Sequence, residues 1–213
     1  VALVVLLLGV SGPAMAKKQV PKVDNFVFFI DHSSSMAFSY KGQRYVQLGG
    51  VSKIMMAKSL ARELNKMIPE LGYKAGLYTF APYKEYVAMG PYNQVAMSAA
   101  LDKVKADYDI YGRLTPMGRG LEDLDRIPLS TMSGKTGVFI FSDGDSNLSV
   151  DPVAVAQSLK AKYGDKLCFY IVDLSDNKSG QQAMKAIATI GKCNCTELGE
   201  ELLRSEAARE KFL

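Results

Sequence analysis

The chain has 213 residues, of which 48% are hydrophobic and 23% charged, and its net charge is +4. That balance excludes a disordered chain, and the length suits one medium-sized domain. Lysines and arginines are interleaved with acidic residues throughout, which argues against the one-sided basic face of a nucleic-acid binder.

Val1 to Val10 is almost wholly apolar and uncharged, and Ser11-Gly12-Pro13 and Ala14-Met15-Ala16 follow it. Small residues at 14 and 16 match the A-x-A pattern of a signal-peptidase site. Residues 1–16 are therefore expected to be a signal peptide, truncated at its start, that sends the chain to the periplasm or cell envelope, or out of the cell. A buried N-terminal strand is the competing reading. A transmembrane helix needs about 20 apolar residues, so no membrane insertion is expected after the signal is removed. Lys17 to Asp24 reads as a tether, and 25–213 as the folded domain.

Asn25 to Ile30, Asn-Phe-Val-Phe-Phe-Ile, is typical of a strand buried on both faces. The polar stretch Asp31 to Gly50 is a loop. From Val51 the apolar residues Ile54, Ala57, Ala61, Leu64, Ile68 and Leu71 recur at helical spacing, and Gly72 is a suitable stop. Lys74 to Phe80 and Glu85 to Met89 form two strands, which the short Ala81-to-Lys84 link makes an antiparallel hairpin. A helix is expected over Ala96 to Lys105, a loop over Gly112 to Gly120, and a helix over Leu121 to Arg126. Gly137 to Phe141 is a buried strand ending at Ser142-Asp143-Gly144-Asp145. Pro152 to Tyr163 is helical, with Asp151 as its N-cap and Pro152 at its first position. Leu167 to Val172 is a third buried strand, Gln181 to Ile190 a helix, the Cys193 region a short strand and Glu197 to Phe212 a final helix. Strands alternating with helices predict a doubly wound, mostly parallel sheet with helices on both faces.

Three places along this pattern supply oxygen ligands at element ends. Asp31-His32-Ser33-Ser34-Ser35 directly follows the first buried strand. In open α/β sheets the carboxyl ends of strands are where ligands bind. Gly112-Arg113-Leu114-Thr115-Pro116-Met117-Gly118 adds the hydroxyl of Thr115 before a helix. Phe139-Ile140-Phe141-Ser142-Asp143-Gly144 adds the carboxylate of Asp143 after another buried strand. Carboxylates and hydroxyls are hard donors, which select Mg²⁺, Mn²⁺ or Ca²⁺.

The set Asp31, Ser33, Ser35, Thr115 and Asp143 resembles the metal-ion-dependent adhesion site of von Willebrand factor A domains. Its three parts occur in the family's order, and the likeness runs from about Asn25 to Leu203. It implies a six-stranded sheet ordered 3-2-1-4-5-6 with one antiparallel edge strand. It also implies a metal, Mg²⁺ first, contacted by Ser33, Ser35 and Thr115 and, directly or through water, by Asp31 and Asp143. Many members carry Gly where this chain has Ser34, and His32 is an unusual neighbour. The expected function is a non-catalytic protein-binding module of the cell envelope whose metal takes a carboxylate from an acidic protein partner. His32, Arg113 and Arg119 are candidates for a rim that attracts such a partner. Some bacterial members continue into a peptidoglycan-binding domain, to which the final helix could lead.

The alternative is a metal-dependent hydrolase using the same cation, with Asp145 as the general base. Other chemistries have weaker support. Ser133-Gly134-Lys135-Thr136 imitates a phosphate-binding loop, but Leu129 stands where the signature needs Gly, and the segment precedes a strand. His32 beside Ser33 lacks the Gly-x-Ser-x-Gly turn of a serine hydrolase and reads as an exposed loop residue. Tyr40, Tyr83, Tyr86, Tyr92, Tyr108 and Tyr111 are scattered over several elements and read as packing. Three cysteines, Cys168, Cys193 and Cys195, allow a disulfide from Cys168 to one of the pair or three reduced thiols, and their spacing does not suit zinc.

Overall fold

In the computed structural model, residues 21–40, 51–106, 114–146, 150–191, 193 and 195–213 are described. The expected signal segment, Tyr108, Tyr111, Gly112 and Arg113 lie outside them. Among the described residues the strands are β1 (Asn25–Asp31), β2 (Lys74–Phe80), β3 (Lys84–Pro91), β4 (Thr136–Ser142), β5 (Leu167–Asp173) and β6 (Cys195–Leu198). The helices are α1 (Lys53–Met67), α2 (Gln94–Lys103), α3 (Met117–Arg126), α4 (Pro152–Tyr163), α5 (Lys178–Gly191), α6 (Gly199–Arg204) and α7 (Glu206–Phe212).

The strands form one sheet ordered β3-β2-β1-β4-β5-β6, as the resemblance implied. All pairs are parallel except β2–β3, whose register shifts twice, between Ala75 and Leu77 and between Leu77 and Tyr78.

Strand alternation divides the core into two layers. Phe26, Phe28 and Ile30 of β1 join Phe139, Phe141 and Tyr170 under α1, α2, α6 and α7. Val27 and Phe29 join Val138, Ile140, Phe169 and Ile171 under α3, α4 and α5. Both faces of β1 and β4 are therefore buried, which explains their unbroken apolar runs. Burying each such side chain contributes roughly 1.5–3 kcal/mol. The described tyrosines serve packing: Tyr92 meets Phe26 edge-on and bonds Asn65, and Tyr83 packs against Phe29 and Tyr78.

Several boundaries differ from the sequence-based expectation, each for a local reason. Helix α1 ends at Met67, before Ile68 and Leu71 of the apolar stripe, because Pro69 pushes Ile68 into extended backbone with ψ 115°. Helix α3 begins at Met117, four residues before the expected start, since Gly118 and Gly120 lie inside it as packing residues. The expected final helix is two. Glu197 and Leu198 belong to β6, and Ser205 breaks the remainder with ψ 116° while its hydroxyl caps α7 by accepting the Ala208 N–H. Helix α4 has the expected bounds, with Asp151 accepting the Val153 N–H at 2.9 Å.

Cys168 and Cys193 form a disulfide that joins the start of β5 to the turn after α5. Asp24, the last residue of the expected tether, is tied in by backbone bonds to Lys135 and Lys74.

Candidate functional site

Strand β1 delivers Asp31 to the carboxyl end of the sheet, where the chain reverses its order between β1 and β4. There Asp31 is fully buried. Its Oδ1 accepts the Ser33 N–H at 2.9 Å, and its Oδ2 accepts the Ser142 hydroxyl at 2.6 Å. Ser142 Oγ in turn accepts the Gly144 N–H at 3.0 Å. The aspartate is thus clamped from its own loop and from the end of β4.

The hydroxyls form a chain toward the second carboxylate. Ser33 Oγ lies 3.1 Å from Ser35 Oγ, and Ser35 Oγ donates to Asp143 Oδ1 at 3.2 Å. Asp143 Oδ1 also accepts the Asp145 N–H at 3.2 Å. Gly144, with φ of +73°, turns the loop against α5. A Cβ there would lie 2.4 Å from the Gly180 carbonyl oxygen, so only glycine fits. Thr115 is buried at the entry to α3, and its carbonyl accepts the Ser146 hydroxyl at 3.5 Å.

Four of the five expected ligands, Asp31, Ser33, Ser35 and Asp143, are therefore linked through one short hydrogen-bonded network. The fifth, Thr115, lies on a neighbouring loop joined to the segment after Asp143. Asp145 donates its backbone N–H to Asp143 while its carboxylate accepts Asn177 Nδ2 at 2.9 Å.

The sequence pattern did not reveal the cation at this site. Lys53, the first residue of α1, is 3% exposed and places Nζ 2.8 Å from Asp143 Oδ2 and 3.1 Å from Asp176 Oδ1. A signal was available: a lysine at the first helical position runs against the helix dipole, and the first turn of α1 carries no acid. Such a local conflict marks a residue held for another purpose. Asp173 and Ser175, at the end of β5, were also missed. Ser175 donates its N–H to the Asp173 carboxylate at 2.9 Å, the arrangement seen at Asp31 and Ser33.

Burial dominates the electrostatics. It raises the Asp31 carboxyl to about 7, with Asp143 adding repulsion, while bonds from Ser142 and Ser33 oppose the shift. Burial raises Asp143 as well, against the charge and hydrogen bond of Lys53. Burial pulls the Lys53 ammonium down, but Asp143 and Asp176 outweigh it and the net shift is upward.

One of the three rim candidates departs from expectation. His32 is 4% exposed, not an exposed loop residue: its N–H joins Phe80 O at 2.9 Å and its Nε2 lies 2.8 Å from Lys105 O. It ties the Asp31 loop to the end of β2 and to the segment after α2. Arg119 is exposed on α3 and paired with Glu122 at 2.8 Å. Arg113 lies outside the described residues. A cleft of about 560 Å³, lined by Lys22, Phe26, Ile68, Tyr73, Tyr170 and Leu213 among others, lies apart from these residues at the amino ends of β1 and β2.

The donor set fits a hard divalent cation. It offers the carboxylates of Asp31 and Asp143 and the hydroxyls of Ser33 and Ser35, linked by hydrogen bonds, with the threonine hydroxyl of Thr115 on the next loop. No helix among the described residues is long and apolar enough to cross a membrane.

No family model matches the chain. The uncharacterized protein YwmD of Bacillus subtilis is 22% identical over 193 residues, covering 87% of this chain and 83% of that protein. Among solved structures, proximal thread matrix protein 1 of the mussel byssus, with a zinc-occupied metal-ion-dependent adhesion site, superposes with a TM-score of 0.64 at 17% identity. That match covers 88% of this chain and 46% of the mussel protein. A von Willebrand factor type A protein from Catenulispora acidiphila gives 0.58 at 19% identity, over 89% of this chain and 42% of that one. An aerotolerance-related membrane protein from Bacteroides fragilis gives 0.61 at 15% identity, over 88% of this chain and 98% of that one.

Proposed function

We infer that this domain, which has the von Willebrand factor A fold, is a divalent-metal-dependent protein-binding module of the cell envelope, without catalytic activity. The observation that carries this reading is the linked set Asp31, Ser33, Ser35 and Asp143 at the carboxyl end of the sheet, with Thr115 buried on the adjoining loop. The mussel neighbour, whose site of this type holds zinc, supports a divalent ion, and we take Mg²⁺ as the ion here. When bound, the metal would supply a hard electrophilic position, to which an aspartate or glutamate of a partner protein is the natural match.

The residues of the chain prepare that position. Ser142 and the Ser33 N–H hold Asp31 in one orientation, and Asp145 N–H and Ser35 do the same for Asp143. The hydroxyl ligands are themselves neutral, so a bound cation would keep affinity for a partner's anion. A hydrolase would need a general base, and Asp145, the candidate for it, is engaged with Asn177. Export rests on the apolar N-terminal stretch and its Ala14-x-Ala16 pattern, and the Bacteroides neighbour described as an aerotolerance-related membrane protein supports an envelope location.

Titration calorimetry with Mg²⁺ or Mn²⁺ tests the reading. One site per chain is expected. Asp31→Ala should weaken binding by at least about 100-fold, since loss of mere outer-sphere partners of metal ligands already costs about 10–100-fold. A pull-down from envelope extract should then lose its partner in EDTA and on Thr115→Ala. Unchanged metal affinity in Asp31→Ala overturns the metal site, and capture indifferent to EDTA overturns its role in recognition.

A further inference from the structure

Lys53 occupies a position that helix physics disfavours, and the β1–α1 connection holds it there. Its N–H bonds Phe38 O at 3.0 Å, Ser39 pairs with Ser52, and Tyr40 N–H reaches Val51 O at 3.5 Å. These contacts close the base of the loop and bring the start of α1 against the Asp31 segment. Burying an ammonium is costly unless carboxylates meet it, and here two do.

The two oxygens of Asp143 have separate surroundings. Oδ1 faces the Ser35 hydroxyl and the Asp145 N–H, on the side of the hydroxyl cluster. Oδ2 faces Lys53. A metal drawing on Asp143 therefore shares that carboxylate with a positive charge already in place. Resting on the metal-binding reading above, we propose that Lys53 is a tethered cation that competes with the divalent ion for Asp143, and that Asp176 is the anchor that retains the ammonium when the ion enters.

Charge sets the direction. Asp31, Asp143 and Asp176 bring at most three negative charges, and Lys53 cancels one of them locally. An entering divalent ion meets a weaker field and a like charge close by, so its affinity falls. In the absence of metal, the same lysine spares Asp143 the penalty of a buried, uncompensated carboxylate. Asp176 is 30% exposed, which lets it hold the ammonium nearer to water. The site thus loads only when metal is abundant, and loading is felt at the first turn of α1.

The test is Mn²⁺ calorimetry on the intact chain, with circular dichroism to check the fold. Variants are Lys53→Met, Asp176→Asn, their combination, and Asp31→Ala combined with Lys53→Met. Lys53→Met is expected to tighten Mn²⁺ binding by about 5- to 150-fold, the usual span of coupling between linked equilibria. Asp176→Asn is expected to weaken binding when Lys53 is present and to have no effect when it is Met. If Lys53→Met is too unstable for calorimetry without metal, Mn²⁺ should raise its thermal midpoint more than that of the unsubstituted chain. Equal or weaker binding by Lys53→Met, or an Asp176→Asn effect that ignores residue 53, overturns the competition. In that case the metal site still stands if Asp31→Ala abolishes binding in the Lys53→Met background. No Mn²⁺ uptake by either the unsubstituted chain or Lys53→Met overturns the metal reading and this proposal together.

Discussion

Asp31 is an acid enclosed by protein, so its proton is part of the fold's energetics. Its folded value of about 7 stands above the ordinary 3.8 because burial, and then Asp143, disfavour the anion. Below about pH 4 both folded and unfolded chains carry the proton, and Asp31 imposes no penalty. Between about 4 and 7 the unfolded chain loses its proton while the folded one keeps it, so metal-free stability falls as pH rises. Above 7 the penalty is complete. The thermal midpoint of the chain in EDTA should therefore decline from pH 5 to pH 8, and Asp31→Asn should make the decline shallower. A slope unchanged by Asp31→Asn would show that this carboxyl does not set it. Asp31, Ser33, Ser35 and Asp143 were legible in sequence because they cluster within a few residues or sit at strand ends. Lys53 was not, because its partner Asp143 is 90 residues away in the chain and only folding brings the two together. Ser142 was visible as a neighbour of Asp143, but its bond to Asp31 depends on β1 lying beside β4.

Among the elements, α3 shows what glycine can mean beyond flexibility. Gly112 to Gly120 reads as a loop because glycines weaken helices. Yet a Cβ on Gly118 would lie 2.3 Å from the Val150 carbonyl oxygen, and one on Gly120 would lie 2.7 Å from Phe80 Cβ. These glycines let α3 press against its neighbours, and propensity cannot express that demand. Because Gly118 follows Thr115 by three residues, displacing it would also move the threonine. Gly118→Ala is expected to cost about 1–3 kcal/mol by overpacking, read by urea denaturation, and to weaken Mn²⁺ binding in calorimetry. Full stability in that variant would mean that the segment at Val150 yields freely. Strands were easier to read than helix ends: β2 has its expected bounds, whereas the end of α1 turned on Pro69 and the division of α6 from α7 on Ser205.

At the scale of the whole molecule, the sheet order follows from the alternation of elements together with the family resemblance, since alternation alone leaves the order open. The cysteine pairing was not legible, because spacing allowed either Cys193 or Cys195 to meet Cys168. The observed Cys168–Cys193 bond spans 25 residues of sequence, including α5. By chain entropy such a link stabilises by about 3–4 kcal/mol. It lies at the start of β5, whereas the carboxylates gather at the strands' carboxyl ends. Reduction, or Cys168→Ala with Cys193→Ala, should lower the thermal midpoint while leaving Mn²⁺ affinity within about twofold, since well-separated sites behave additively. Lost metal affinity would instead mean that the two ends of the sheet are coupled.

The outer strand β3 carries a different consequence. An unpaired sheet margin is a template on which foreign chains can grow, yet this one presents Lys84 and Glu85 to water, ends at Pro91 and pairs with β2 through two register shifts. Such features blunt the margin against a docking strand. Many copies crowded together would then resist fusing into fibres along this margin.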